Sequence, residues 1–122
     1  MSVTFTIEDA PRKMVPFIEA YGFDPEEDDL NEVLVSEWPE LNVSNITFQW
    51  IENVLGHKLE TEYGYTGVLG RKQCADLLRS YMERHLEDFP RTSFDDRGLY
   101  TLKEFALLLI KALEEQKPVQ YY

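Results

Sequence analysis

The residues best suited to chemistry in this chain are its two histidines, each of which stands near carboxylates. His57 lies close to Glu60 and Glu62, and His85 has acidic neighbours on both sides. A protein metal site needs three or four convergent ligands, and neither group offers more than one nitrogen. His57 also follows Gly56, where a cation complements the end of a helix. A small metal-dependent enzyme using His57 or His85 is therefore an alternative only, and we predict no metal and no cofactor.

Cys74 is the only cysteine, so the chain cannot form an intramolecular disulfide. It falls in the apolar register of a predicted helix, which favours a packed thiol over a catalytic nucleophile. The chain contains no Gly-x-Ser-x-Gly motif, and we predict no catalytic residue. The N-terminus lacks the pattern of a secretory signal, so we expect a reducing, cytoplasmic setting.

One segment, SFDDRGLYTLKE, partly matches the calcium loop of an EF-hand. Gly98, Tyr100 and Glu104 take its glycine, hydrophobic and final acidic positions. The same alignment places Arg97 at a ligand position, where a positive charge opposes calcium. An Asp-rich turn leading into a capping box of Thr101 and Glu104 explains the same residues without an ion, and this is what we expect.

The strongest global feature is charge, because 23 acidic and 12 basic side chains give a net charge of -11. Such a chain repels phosphate backbones and anionic lipids, which disfavours direct binding to nucleic acid or membrane. The segment Asp24–Glu40 is acidic and contains neither Lys nor Arg. We predict that it binds a protein partner with a basic surface, with a tryptophan as aromatic anchor. The predicted binding residues are Asp24, Glu26, Glu27, Asp28, Asp29, Glu32, Glu37 and Trp38.

The charge pattern leads to one main functional hypothesis and leaves others open. The main hypothesis is a non-catalytic interaction or regulatory protein that binds a macromolecule through its acidic surface. A narrower alternative is an inhibitor that presents carboxylates in place of phosphates to a nucleic-acid-binding protein. A solvated acidic loop with no partner would also explain the composition.

Apolar residues at helical spacing predict the elements that position these groups. The predicted helices are Asp9–Tyr21, with a kink or late start at Pro16, and Asn45–Leu55, Arg71–Asp88 and Leu102–Gln116. The last helix is apolar on most of its sides, so we expect it to be central and to bury Phe105, Leu109 and Leu113.

Strand signals are fewer and lie mainly at the two ends of the chain. Ser2–Ile7 alternates between apolar and polar residues, and the end of the chain from Pro118 suits a strand, so we expect the two ends to pair. Val33, Leu34 and Val35 also favour a strand, which makes their segment ambiguous. We predict a loop with short extended pieces from His57 to Gly70. The predicted fold is a single domain over residues 1–122, α+β and predominantly helical, with about four helices and a small sheet of terminal strands.

Overall fold

A computed structural model describes residues 2–16, 32–83 and 95–122, and between 95 and 99 it describes the backbone alone. These residues form six strands and three helices. The strands are β1 (Ser2–Ile7), β2 (Arg12–Pro16), β3 (Glu32–Ser36), β4 (Glu40–Ser44), β5 (Gly67–Leu69) and β6 (Val119–Tyr121). The helices are α1 (Asn45–Leu55), α2 (Arg71–Glu83) and α3 (Asp95–Glu115).

The larger sheet has four antiparallel strands in the order β4-β1-β6-β5. Phe5 of β1 lies opposite Leu41 of β4 on one side and opposite Tyr121 of β6 on the other. Val3, Phe5 and Ile7 are buried, as the alternating pattern predicts for a sheet covered on one face. The predicted first strand and its pairing with the end of the chain are therefore confirmed.

The smaller sheet is a two-stranded antiparallel ribbon of β2 and β3. Met14 lies opposite Leu34, and Val15 lies opposite Val33. The ribbon continues for one more backbone hydrogen bond, in which the Glu37 N–H donates to the Pro11 carbonyl at 2.8 Å. Below, "the ribbon" means these two strands.

The prediction of a predominantly helical fold with about four helices is wrong, because the described residues form three helices and two antiparallel sheets. The error includes the predicted helix Asp9–Tyr21, in which Arg12–Pro16 is a strand, while residues 17–21 lie outside the described part. Pro16 cannot donate a helical hydrogen bond and disfavours helix at Val15, whereas pairing with β3 leaves the hydrogen-bond ladder intact.

Helix α1 has both of the ends that its sequence predicts. Ser44 has an extended backbone, and its side-chain oxygen accepts from the Thr47 N–H at 3.2 Å. Gly56 closes the helix in the left-handed conformation, with φ 71°, and its N–H donates to the Glu52 carbonyl at 2.9 Å. Predicted helix Arg71–Asp88 is confirmed through Glu83 as α2, and its remaining residues lie outside the described part.

Helix α3 is longer than predicted, since it begins at Asp95. Thr101 and Glu104 therefore lie inside the helix, and the predicted capping box is wrong. The expected burial of Phe105 and Leu109 is confirmed, while Leu113 packs against the core partly buried. None of the described helices combines the length and apolar character needed to cross a membrane.

Candidate interaction surface

The ribbon presents an apolar pair to solvent. Met14 is 53% exposed and Leu34 is 57% exposed, and the two residues lie directly opposite each other in the register. Single exposed apolar side chains are common, but a cross-strand pair forms a continuous patch. Alternation places Arg12 and Glu32 on the same face of the ribbon, near its opposite ends. The patch is thus apolar in its middle and charged at both ends.

An ion pair links the ribbon to the larger sheet, and Val15 of the ribbon is buried, with 8% of its surface exposed. An Arg12 guanidinium nitrogen lies 3.5 Å from a carboxylate oxygen of Glu40, and the Thr6 hydroxyl donates to the same oxygen at 3.1 Å. Within the described chain, the two ribbon strands pack chiefly on each other. A two-stranded ribbon buries little surface by itself, so a further contact would stabilise it.

The structure describes only part of the predicted acidic site. Glu32, the first residue of β3, and Glu37, the residue after β3, are exposed, and Trp38 is partly buried. The other predicted residues lie outside the described part: Asp24, Glu26, Glu27, Asp28 and Asp29. The Trp38 ring packs against the core, and the Lys111 ammonium lies 5.4 Å from its centroid. The core and Lys111 therefore cover part of the Trp38 ring, and only the rest of the ring is accessible to a partner.

His57 lies at the C-terminal end of α1, at the rim of an open depression. The depression has a volume of about 390 Å³ and is lined by Glu52, Asn53, Gly56, His57 and Lys58. The Nε2 atom of His57 is 3.0 Å from the Ser80 hydroxyl oxygen, and both residues are partly buried. A catalytic serine–histidine pair also needs a group that orients the ring and donors for an oxyanion. Among the described residues, the other ring nitrogen of His57 has no hydrogen-bond partner.

The acid in this depression has a structural role. One carboxylate oxygen of Glu52 accepts from the backbone N–H groups of Leu59 and Glu60, at 2.6 and 2.8 Å. The Tyr121 hydroxyl donates to the Leu59 carbonyl at 2.5 Å. Burial, and to a smaller extent the charge of Glu52, raises the pKa of Tyr121, so its hydroxyl stays protonated and remains a donor. These bonds hold the loop after α1 on the sheet.

No metal site is present in the described ranges, which contain no group of three or more His, Cys, Asp or Glu that could hold an ion. His85 lies outside those ranges. The segment that partly matches an EF-hand does not form a calcium loop, because Gly98, Tyr100 and Glu104 lie in α3. A helical backbone cannot wrap its carbonyl and carboxylate oxygens around calcium as that loop does.

Cys74 is fully buried in α2, as its position in the apolar register predicts. Its thiol donates to the Leu69 carbonyl, with 3.6 Å between sulfur and oxygen. Burial raises the pKa of Cys74 from 9.0 to about 11. Because the thiolate is the nucleophile, this environment suits packing and not catalysis.

The sequence did not predict that Met14 and Leu34 pair across a ribbon. Met14 was assigned to the apolar face of a helix with Phe17 and Ile18, because those residues have helical spacing. Two signals pointed to the strand instead, namely Pro16 and the β-branched residues beside Leu34.

No protein-family model, curated protein or solved structure matches the chain. Its function therefore has to be argued from its own residues.

Proposed function

We propose that this is a non-catalytic interaction or regulatory protein that binds a protein partner with a basic surface. It does so through the acidic segment Asp24–Glu40 and the ribbon face next to it. The observation that carries the proposal is the exposed Met14–Leu34 pair on the ribbon face that also carries Glu32, with the exposed Glu37 directly after β3. An apolar centre with a charged rim is the usual composition of a protein interface.

Charge and apolar contact have separate functions in this proposal. Carboxylates on a segment without cations accelerate encounter with a basic partner and exclude acidic competitors. The Met14–Leu34 pair then loses its contact with water, which favours the bound state. Binding should therefore weaken with salt but retain a salt-independent part. A cytoplasmic location is consistent with the single buried cysteine and belongs to the same proposal.

The test is capture of partners from a cell extract by three forms of the protein. One variant carries Glu26→Gln, Glu27→Gln, Glu32→Gln and Glu37→Gln in the acidic segment. A control variant carries Glu60→Gln, Glu62→Gln, Glu83→Gln and Glu114→Gln, which are all exposed outside it. Both variants lose the same negative charge by the same chemical change, so net charge alone cannot distinguish them.

We expect the wild-type and control proteins to retain the same basic partner at about 50 mM NaCl and to release most of it at about 500 mM. The segment variant should retain at least about tenfold less, as loss of several charge pairs predicts. Equal capture by the two variants, or none by the wild-type protein, would contradict the proposal. Elution of the partner by duplex DNA would show that DNA and the chain compete for the same surface, as the inhibitor alternative requires.

A further inference from the structure

The register of the ribbon determines which backbone groups remain unpaired. In an antiparallel pair, the N–H and C=O of one residue point to the same side, and successive residues alternate. The Glu37 N–H points to Pro11 of the neighbouring strand. The backbone N–H and C=O groups of Val33 and Val35 therefore also point to β2. Those of Glu32, Leu34 and Ser36 point to the outer edge of β3. Among the described residues, β2 is the only strand that pairs with β3.

The two outer edges of the ribbon differ in how they are protected. By the same alternation, the backbone polar groups of Arg12, Met14 and Pro16 point to the outer edge of β2. Proline has no N–H, and prolines and basic side chains on an edge strand are common devices against pairing with another chain. The outer edge of β3 has neither, since its residues Glu32–Ser36 include no proline and no lysine. Among the described strands, the outer edge of β3 is thus the ribbon edge that lacks both proline and basic residues and that a further strand can join.

We propose that the outer edge of β3 binds an extended, basic segment of the partner protein as a third strand of the ribbon. This inference rests on the proposed function and specifies the part of the partner that is recognised. The acidic residues on and after β3, Glu32 and Glu37, favour a basic segment over other occupants. Addition of a strand to an exposed sheet edge is a general mode of peptide recognition, in which backbone hydrogen bonds supply affinity and alternate side chains supply specificity.

The side chains of β3 predict the pattern of the added strand. A partner residue opposite Leu34 lies on the same face as the Met14–Leu34 pair, and an apolar side chain there would extend that row across three strands. A residue opposite Glu32 lies two positions away, about 7 Å along the strand, where Lys or Arg would pair with the carboxylate. The predicted motif is therefore a basic residue separated by one position from an apolar residue.

The test uses a defined peptide, so the natural partner need not be known. The probe is the acetylated and amidated peptide Thr-Lys-Thr-Val-Thr-Lys-Thr, added antiparallel to β3 because every described strand pair is antiparallel. In that direction, with Val opposite Leu34, the Lys and Val amides face β3 and the Thr amides face away. The control probe is the same peptide with N-methyl groups on its Lys and Val amides, which keeps the charge and removes the donors facing β3. We expect the control to bind at least about tenfold more weakly, because two or three hydrogen bonds are lost. Equal binding of both peptides, or binding of neither at about millimolar concentration, would overturn strand addition.

Two proline variants locate the binding edge. Leu34→Pro removes a donor from the outer edge of β3 without removing a hydrogen bond inside the ribbon. Met14→Pro makes the same change on the outer edge of β2. We expect Leu34→Pro to weaken binding of the unmethylated peptide about tenfold and Met14→Pro to weaken it much less, with circular dichroism confirming that both variants fold. The reverse order would overturn the assignment to β3. The two proposals can also fail separately. If N-methylation leaves peptide binding unchanged while the variant with glutamines in the acidic segment still loses its captured partner, the proposed function stands and the strand inference fails.

Discussion

At the scale of single residues, Gly67 shows how closely the larger sheet packs against the loop after α1. A Cβ atom at Gly67 would lie 2.5 Å from the Tyr121 hydroxyl oxygen and 2.7 Å from its Cζ atom. Tyr121 is buried and cannot move aside without losing its hydrogen bond to the Leu59 carbonyl. We expect Gly67→Ala to lower the free energy of unfolding by about 1–3 kcal/mol, as overpacking of a core does.

Gly70 provides the matched control for this substitution. A Cβ atom there would meet nothing closer than the Gln73 side-chain oxygen at 3.7 Å, which is an ordinary contact. Gly70→Ala should therefore cost less than about 1 kcal/mol. Urea denaturation followed by tryptophan fluorescence would measure both variants. Equal costs for the two would mean that Tyr121 is not held in the position described above.

The buried thiol of Cys74 leads to a prediction about pH. Its pKa is about 11 in the folded protein against 9.0 for a free thiol, so the folded protein holds about a hundredfold less thiolate near pH 8. We expect a thiol reagent to label the native protein at least about a hundredfold more slowly than the urea-unfolded protein. Rapid labelling of the native protein would contradict the burial.

The same pKa difference predicts how stability changes in alkali. Because the folded pKa lies above the unfolded one, the stabilisation is fully present below about pH 9 and is lost as the pH rises towards about 11. Cys74→Ala removes this titration. We expect the free energy of unfolding to fall more steeply between these pH values in the wild-type protein than in the variant. If the free energy of unfolding falls equally steeply in both proteins, the titration of Cys74 does not contribute to the loss of stability in alkali.

At the scale of elements, the sequence predicts α1 well because the signals for this helix are local. Ser44 and Gly56 lie just outside its two ends. Of the apolar residues at helical spacing, Trp50, Ile51, Val54 and Leu55 are buried and Ile46 is exposed. Ser44→Ala removes the bond to the Thr47 N–H and should lower the free energy of unfolding by about 1 kcal/mol.

The rescue of this cap is a sharper test than its loss. Ser44→Asp retains a side-chain acceptor and adds a negative charge at the positive end of the helix. It should therefore be close to wild type in thermal denaturation, while Ser44→Ala melts at a lower temperature. Equal losses in both variants would assign the effect of Ser44 to its position at the end of β4 and not to the cap.

The ribbon could not be predicted in the same way, because its determinants are far apart in the chain. Met14 has helical spacing to later apolar residues, and nothing near it in sequence identifies Leu34 as its partner. Only the pairing of the two strands excludes a helix at Arg12–Pro16, and that pairing is a tertiary contact. The sequence accordingly predicted the acidic residues of the candidate site, Glu32 and Glu37. It did not predict the exposed apolar pair.

At the scale of the whole molecule, we expect repulsion among the negative charges to outweigh the ion pairs that the structure describes. The net charge is -11, and the four ion pairs of the described residues are partly exposed, so each contributes little. Salt weakens both effects, but it relieves a repulsion that acts over the whole surface. We expect the free energy of unfolding to rise by about 1 kcal/mol between about 20 and 200 mM NaCl.

The control for this prediction is the variant with glutamines at Glu60, Glu62, Glu83 and Glu114. These exposed carboxylates make none of the ion pairs above, so their removal reduces the repulsion and leaves those pairs intact. The variant should be more stable than the wild-type protein at low salt, and its stability should depend less on salt. Sodium chloride also screens the attraction to a basic partner, so the salt that stabilises the free protein should weaken its complex. A fall in wild-type stability with salt would mean that the ion pairs dominate, and that the negative charge is not free to attract a partner.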